Sequence, residues 1–508
     1  MRKVLLLFLI FVMLTVAGCS NYYVGNDHVL PTLDPAASEN NMTEEETENS
    51  KDNGRVATIG VLNIDGYFPY DTQNYAMSKF LFLVYDPLVK MDSSFNTSFC
   101  LAENISTTDG GMTWTVELRK DVKWHDGSAL CTDDIIYTLG CIKGNNNQYS
   151  WQIKDIYQIN VISSTSFDIK LFEADSTFPS KMTLPIIRNN SKTDIFPCGT
   201  GMYKFSEVKE NGNYVFELNQ QYFGKKSGIN KIVFSSYRTE KELAESDSDF
   251  MIVEKANVYN SNVSGKQTYF SQGTTICCLV PSSGIEAAEI NIRKAIANSL
   301  NIQDVIKASV SGYGSEKKLP IPNNVWFMHD DRAYKPAGYN DITVDSLGYF
   351  SPISITICAQ VTNREHVAVA KKCAEQLNAA GFIADFVTYN TVDELENINY
   401  SYLVTDKYIE YTWDFSLVFA EIPGLSYNIT AIKDAYMKPN ETDVTDSASF
   451  ERFMSSQIKI MAETFYNNQP YLGLYTNHSA FLVDKDIKGR TGLMVTGWDP
   501  LLGFENLY

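Results

Sequence analysis

Beyond residue 14 this chain has no apolar run of about 18 residues, the length a membrane-spanning helix requires, so no later segment is expected to span a bilayer. It also lacks GxSxG, HExxH, Walker A and CxxC, and its five histidines, at 28, 125, 329, 366 and 478, fall in no metal-ligand spacing. Ser206-Glu207-Val208-Lys209 and Ser315-Glu316-Lys317-Lys318 match SxxK, a short pattern frequent by chance, and its companion motifs are missing. Catalysis is therefore not expected, and no catalytic residue, metal ligand or cofactor is assigned. Positive charge is scarce: 42 Lys and Arg against 61 Asp and Glu leave a net −19, which argues against nucleic acid or an anionic membrane surface as a partner, since both require basic patches. No internal repeat is visible.

Cysteine is neither absent nor abundant. Besides Cys19 there are eight, at 100, 131, 141, 198, 277, 278, 358 and 373. An even count permits disulfides, yet a chain this long does not depend on them, so most are expected as small buried apolar residues. Cys358 and Cys373 are the pair most open to bridging, and adjacent Cys277 and Cys278 cannot bridge without strain. Thirty Tyr, 28 Phe and 6 Trp supply core packing, with some rings available to line a cleft.

The N-terminus has the layout of an export signal: Arg2 and Lys3, an apolar stretch from Val4 to Leu14, then small residues ending Val16-Ala17-Gly18-Cys19. That ending resembles the lipobox of bacterial lipoproteins, which implies acylation of Cys19 and anchoring on the outer face of the cytoplasmic membrane. Residues 20–55 lose periodicity. Eight carboxylates against Lys51 and Arg55 between Asn21 and Arg55 give a net −6, the pattern of a solvated tether, and thirty-five such residues reach roughly 30–35 Å.

At 508 residues the chain exceeds the size, roughly 250–300 residues, at which one core stops growing, so at least two lobes are expected. Val56 to Leu62 reads as a first strand and Ala76 to Val84 as a helix. Trp114, Val116 and Leu118 alternate with Thr115, Glu117 and Arg119, the period of a half-buried strand after the Asp109-Gly110-Gly111 turn. Val122 and Trp124 read as the start of another strand, stopped at Asp126-Gly127, and Thr132 as the N-cap of a helix with Asp133 and Asp134 in its first turn. Further on, Ile353 to Ala359, Arg364 to Ala380 and Phe382 to Val387 read as strand, helix and strand, with Val367, Ala370, Ala374 and Leu377 on one stripe and Gly381 as cap. If both strands share a sheet, this is a right-handed parallel βαβ unit.

The stretch from Tyr85 to Leu139 resembles the signature region of the family 5 extracellular solute-binding proteins, through Leu118-Arg119, Val122, Trp124, Asp126-Gly127 and Asp133. CGTGMYKF from Cys198, NQQYFGKKSGINKIVF from Asn219, the helix-like NIRKAIANSLNIQDVI from Asn291 and LPIPNNVW from Leu319 are similar to later family segments in the same order. His125, beside the Asp126-Gly127 turn, is read as a surface turn residue. The resemblance implies an α/β, bilobed, type II periplasmic-binding-protein-like fold. Lobe I is expected at 56–90, 196–275 and 476–508, an inserted subdomain at 91–195 and lobe II at 276–475. It also implies a non-enzymatic receptor of an ABC importer, monomeric, with a small solute or oligopeptide as ligand, permease and ATPase subunits as partners, and the membrane reached through the lipid anchor. Candidate ligand contacts are Asn74 and Tyr75 in the loop Gln73-Asn74-Tyr75, Tyr475 and Asn477 near the last cleft strand, and Glu421. Glu421 lies in WDFSLVFAEIP, a segment similar to the family strand carrying an amine anchor; the usual anchoring stretch is absent, and Asp414 is assigned to that strand's structural pattern. Other members of the family take nickel chelates, haem, oligosaccharides or opines, and a surface sensory or adhesive protein retaining the fold is the alternative.

Overall fold

The computed structural model describes residues 54–508, apart from 93–95, 145–146, 192–195, 257–262, 264, 283–288, 322–333, 350, 410–411, 415–417, 423–424, 426–428, 438, 440–446 and 497. Cys19, the acidic segment up to residue 53 and most of LPIPNNVW lie outside the described residues. The strands in chain order are β1 (Arg55–Leu62), β2 (Val89–Met91), β3 (Thr97–Phe99), β4 (Ala102–Thr107), β5 (Thr113–Leu118), β6 (Ile156–Ser163), β7 (Ser166–Leu171), β8 (Tyr203–Val208), β9 (Tyr214–Leu218), β10 (Ile229–Tyr237), β11 (Phe250–Val253), β12 (Lys266–Pro281), β13 (Gly314–Glu316), β14 (Ser354–Gln360), β15 (Ile383–Tyr389), β16 (Tyr402–Tyr408) and β17 (Leu472–Asp484). Among the helices are α1 (Tyr75–Phe80), α2 (Thr132–Lys143), α3 (Ser150–Ile153), α4 (Ile290–Ser299), α5 (Ile302–Val310), α6 (Arg364–Ala379) and α7 (Ser447–Asn468).

One sheet runs in the order β15-β14-β16-β12-β17-β11-β1-β10-β9-β8, with β13 added on β17, and a separate four-stranded sheet has the order β4-β5-β7-β6. Buried side chains do not form one core. The largest cluster takes Ala57 to Ile252 together with Phe481 to Leu507, and a second takes Cys277 to Tyr475 around α4, α5 and α6. The chain passes between them along β12 and β17, which at 16 and 13 residues exceed the usual strand length of about 3–10. β17 pairs with β11 through Ala480–Val483, whereas β12 pairs with β16 through Thr275–Pro281. Between those regions the β12–β17 register shifts at Gln272/Ile276 and again at Cys277/Cys278, bulges that let one long ribbon bend between two lobes.

The local expectations met several physical overrides. β5 buries Trp114, Val116 and Leu118 on one face, as alternation requires. β14, α6 and β15 form the parallel βαβ unit, with Ala370, Ala374 and Leu377 buried, Val367 half-buried and Cys373 completing the stripe. Val122 and Trp124, by contrast, belong to no strand; the segment makes one isolated bridge, Lys123 to Ala129. Cys131, not Thr132, caps α2, because the Asp134 carboxylate accepts from the Cys131 amide while the Thr132 hydroxyl donates to the Ser163 carbonyl. The buried acid of that turn is Asp134 rather than Asp133: it accepts the Trp124 indole N–H at 3.1 Å and the Asn189 amide at 2.8 Å. NIRKAIANSLNIQDVI is two helices, since the Asn301 side chain caps α5 through the Gln303 and Asp304 amides. The described part of Trp413–Pro423 is bend and turn with Val418 helical, so Glu421 and Asp414 stand on no strand. All eight cysteines from Cys100 to Cys373 are free thiols, five of them buried, and Cys358 and Cys373 form no bridge.

Candidate functional site

Segments far apart in sequence meet at Asp86, which is 1% exposed. Its carboxylate accepts from the Tyr222 hydroxyl at 3.0 Å and the Thr200 hydroxyl at 3.2 Å, and pairs with Lys90 at 3.2 Å. The Val84 carbonyl runs so close to the Thr200 turn that a Cβ at Gly199 or Gly201 would lie 1.8 or 2.5 Å from the Val84 carbonyl group, which explains glycine at both positions. His125 fixes the same turn from the other side: its Nδ1 accepts from the Gly199 amide at 3.1 Å and its Nε2 donates to the Gly201 carbonyl at 3.0 Å. It is thus a part-buried staple, not a surface turn residue, and burial lowers its pKa to about 4.

Around this node lies a cavity of about 480 Å³. Lys79 of α1, Lys90 of β2, Tyr149 beside α3 and Trp498 line it together with Asp499, and Tyr408 reaches it from β16 on the other side of the sheet crossing. Lys79, Lys90, Arg119 and Lys225 line it with Asp499 and Glu505, but Lys90 is paired with Asp86 and Arg119 with Asp121 at 2.7 Å. Lys79 donates to the Trp498 carbonyl at 3.1 Å and sits 5.4 Å from the centre of the Tyr75 ring. Desolvation lowers its pKa to about 8, with Asp499 and Glu254 opposing. For Lys90, desolvation is outweighed by Asp86, and its pKa is raised. Burial raises that of Asp499. The arrangement offers a partly open, aromatic-walled space with the Lys79 ammonium at its edge, a group that can take an anionic part of a ligand.

The five contact residues anticipated from the sequence fall in three places. Asn74 caps α1: its Oδ1 accepts from the Met77 amide, and its Nδ2 donates to the carbonyls of Leu62 at 2.5 Å and Asn63 at 3.2 Å. The neighbouring main-chain amides of Gln73 and Asn74 donate to Asp65. Tyr75 lies beside Lys79 with its hydroxyl near Ser479. Tyr475 and Asn477 meet at a second polar centre, donating to the same Glu365 oxygen at 2.9 and 2.8 Å, while Lys255 pairs with the other oxygen at 2.7 Å. Glu421 is exposed and does not line the cavity. Lys79, Lys90 and Trp498 carried no local sign of a site, because their convergence depends on how α1, β2 and the C-terminal segment pack.

Residues 98–420 match the profile of the bacterial extracellular solute-binding proteins, family 5 (middle). The chain belongs to this family. It is similar to the nickel-binding periplasmic protein of Escherichia coli, 29% identical over 190 residues that make up 35% of each chain, so the match spans about a third of that relative's length. It is similar also to the dipeptide-binding protein of Lactococcus lactis, 22% identical over 68% of this chain and 74% of the relative. The solved oligopeptide-binding protein AppA of Bacillus subtilis, in complex with a nonapeptide, superposes with a TM-score of 0.64 at 16% identity, covering 90% of this chain and 99% of that one. The fold is therefore the bilobed, type II architecture of the family 5 proteins, and membership makes the chain a solute-binding protein and not an enzyme. Family 5 proteins work outside the cytoplasm, and no helix among the described residues is long and apolar enough to cross a membrane.

Proposed function

We propose that this family 5 protein is the lipid-anchored receptor of an ABC importer, capturing a small solute, most simply a short oligopeptide with a free carboxylate, in the cavity beneath Tyr408. The single observation that supports this reading is that cavity. Its volume of about 480 Å³ lies within the roughly 300–1,000 Å³ typical of small-ligand sites, and Lys79 is among the residues that line it. In this proposal lobe I comprises 56–90, 196–275 and 476–508, the inserted subdomain 91–195 and lobe II 276–475, with the β12 and β17 bulges as the hinge. A ligand held by Lys79 on one side and Tyr408 on the other stabilises the closed form by its differential affinity for it, and the permease distinguishes closed from open. Cys19 carries the acyl anchor, and the acidic segment after it spaces the lobes from the bilayer. Tyr75, beside Lys79, is the anticipated contact residue nearest this site. Glu421 remains the proposed partner for a cationic ligand group only if closure carries it to the site. The experiment is mass spectrometry of ligand released from the purified protein, followed by calorimetric titration. A peptide or other carboxylate solute supports the reading; a cationic or uncharged ligand refutes the assignment of the carboxylate.

A further inference from the structure

Three side chains far apart in sequence converge above the sheet where β12, β16 and β17 run side by side. Cys277 of β12 is the direct cross-strand partner of Asp406 on β16 and, on its other edge, of Tyr475 on β17. α6 begins over this row, its first turn fixed by the Asn363 side chain accepting from the His366 amide. There a Cys277 thiol, a His366 ring nitrogen and an Asp406 carboxylate oxygen all lie within 4.8 Å of one another. We propose that Cys277, His366 and Asp406 form a binding site for one borderline-soft divalent transition-metal ion, of which Zn²⁺ is the representative.

The contact between His366 and Asp406 points to a ligand. His366 is 7% exposed, yet its Nε2 and Asp406 Oδ1, 3.2 Å apart, fail to make a hydrogen bond to each other and find no other among the described residues. Buried polar atoms are nearly always hydrogen-bonded; these two meet only as an ion pair, which requires the ring to be protonated, so a cation lodged against both would satisfy them with the ring neutral. The spacing also suits an ion, because two donors each about 2.0 Å from a tetrahedral centre stand about 3.3 Å apart. The donor set of sulfur, imidazole nitrogen and carboxylate oxygen selects zinc, nickel or cobalt over magnesium and calcium, which prefer oxygen alone.

The surroundings support the same geometry. Glu365, next to His366, is held by Tyr475, Asn477 and Lys255, which fixes the first turn of α6 as outer partners fix metal ligands. Three protein ligands leave a fourth position, and the Asp406 side chain, 27% exposed, marks its open side. The other acidic cluster, Asp155, Asp175 and Asp414, already surrounds the Lys181 ammonium and has no place for an ion. None of the three ligands lines the cavity of about 480 Å³, so the site is separate from the one proposed for the solute and does not rest on that proposal.

The test uses the full chain, stripped with chelator and kept reduced, titrated with Zn²⁺ in calorimetry and with Co²⁺ in absorption. One Zn²⁺ per chain and a thiolate-to-Co²⁺ charge-transfer band are expected. Cys277→Ser should abolish the band, and Cys277→Ser, His366→Gln and Asp406→Asn should each weaken Zn²⁺ binding at least about tenfold. Metal-free melting temperatures identify any variant that fails to fold, and the remaining two then decide. Absence of a stoichiometric site, or affinities unchanged in the folded variants, overturns the proposal.

Discussion

Lys181 and Asp414, 233 positions apart, pair at 2.8 Å with side chains 0% and 2% exposed. Lys181 also meets Asp155 and Asp175, each at 2.9 Å, so one ammonium holds three carboxylates. Its neighbours Phe178 and Met182 belong to the first core and Trp413, beside Asp414, to another, so the cluster fastens two packed regions.

Lys181→Met should destabilise the protein by about 3–5 kcal/mol, since it strands buried carboxylates, whereas Asp414→Asn should cost less because Lys181 keeps two partners. Desolvation lowers the ammonium pKa, but Asp175 and Asp414 outweigh it and the folded value is raised. For a raised pKa the contribution is complete below the unfolded value of about 10.4 and fades as pH climbs through the folded one. Above neutral pH the melting temperatures of wild type and variant should therefore converge only in strong alkali; a constant gap through that range would contradict the raised pKa.

Burial lowers both His125 and His478 to about 4. Unfolding restores an ordinary value near 6.5, so between about 6.5 and 4 the unfolded chain binds more protons and stability falls on acidification. Measured from pH 7 to 5, above most carboxylate titration, the decline in melting temperature should be shallower in His125→Gln/His478→Gln. An identical slope would mean that neither ring stays neutral in the fold.

In the cavity, Lys79→Met should weaken a carboxylate ligand by about 1.5–3 kcal/mol, the worth of a hydrogen bond to a charged group. Because the free ammonium titrates near pH 8, wild-type affinity should drop between pH 7 and 9 and the variant's should not. Calorimetry at both pH values checks this, and parallel pH curves would remove Lys79 from the contact.

Cys19→Ser should move the protein from the membrane fraction to the soluble one, measured by detergent partitioning, while leaving ligand affinity unchanged. Continued partitioning into detergent would rule out acylation at Cys19.

What the sequence by itself determined is what local periodicity can encode. Trp114, Val116 and Leu118 face inward because a strand alternates, and 354–389 forms a parallel βαβ unit because its apolar stripe, cap and crossover length allow little else. The ordered family segments were legible too; the structure adds that three of them meet where Asp86 binds Thr200 and Tyr222. Tertiary structure alone decided the rest. Val122 and Trp124 had strand-like spacing, but the Trp124 indole bond to Asp134 and the single Lys123–Ala129 bridge leave them in a loop. Cys277, His366 and Asp406 became neighbours only once the β12–β16 register and the position of α6 were set. Lys79, Lys90 and Tyr408 likewise share a cavity because a sheet order that no short window of sequence contains brings their elements together. Side-chain periodicity is a property of neighbours in the chain, whereas a buried charge or a binding cavity depends on which distant segments exclude water from the same place.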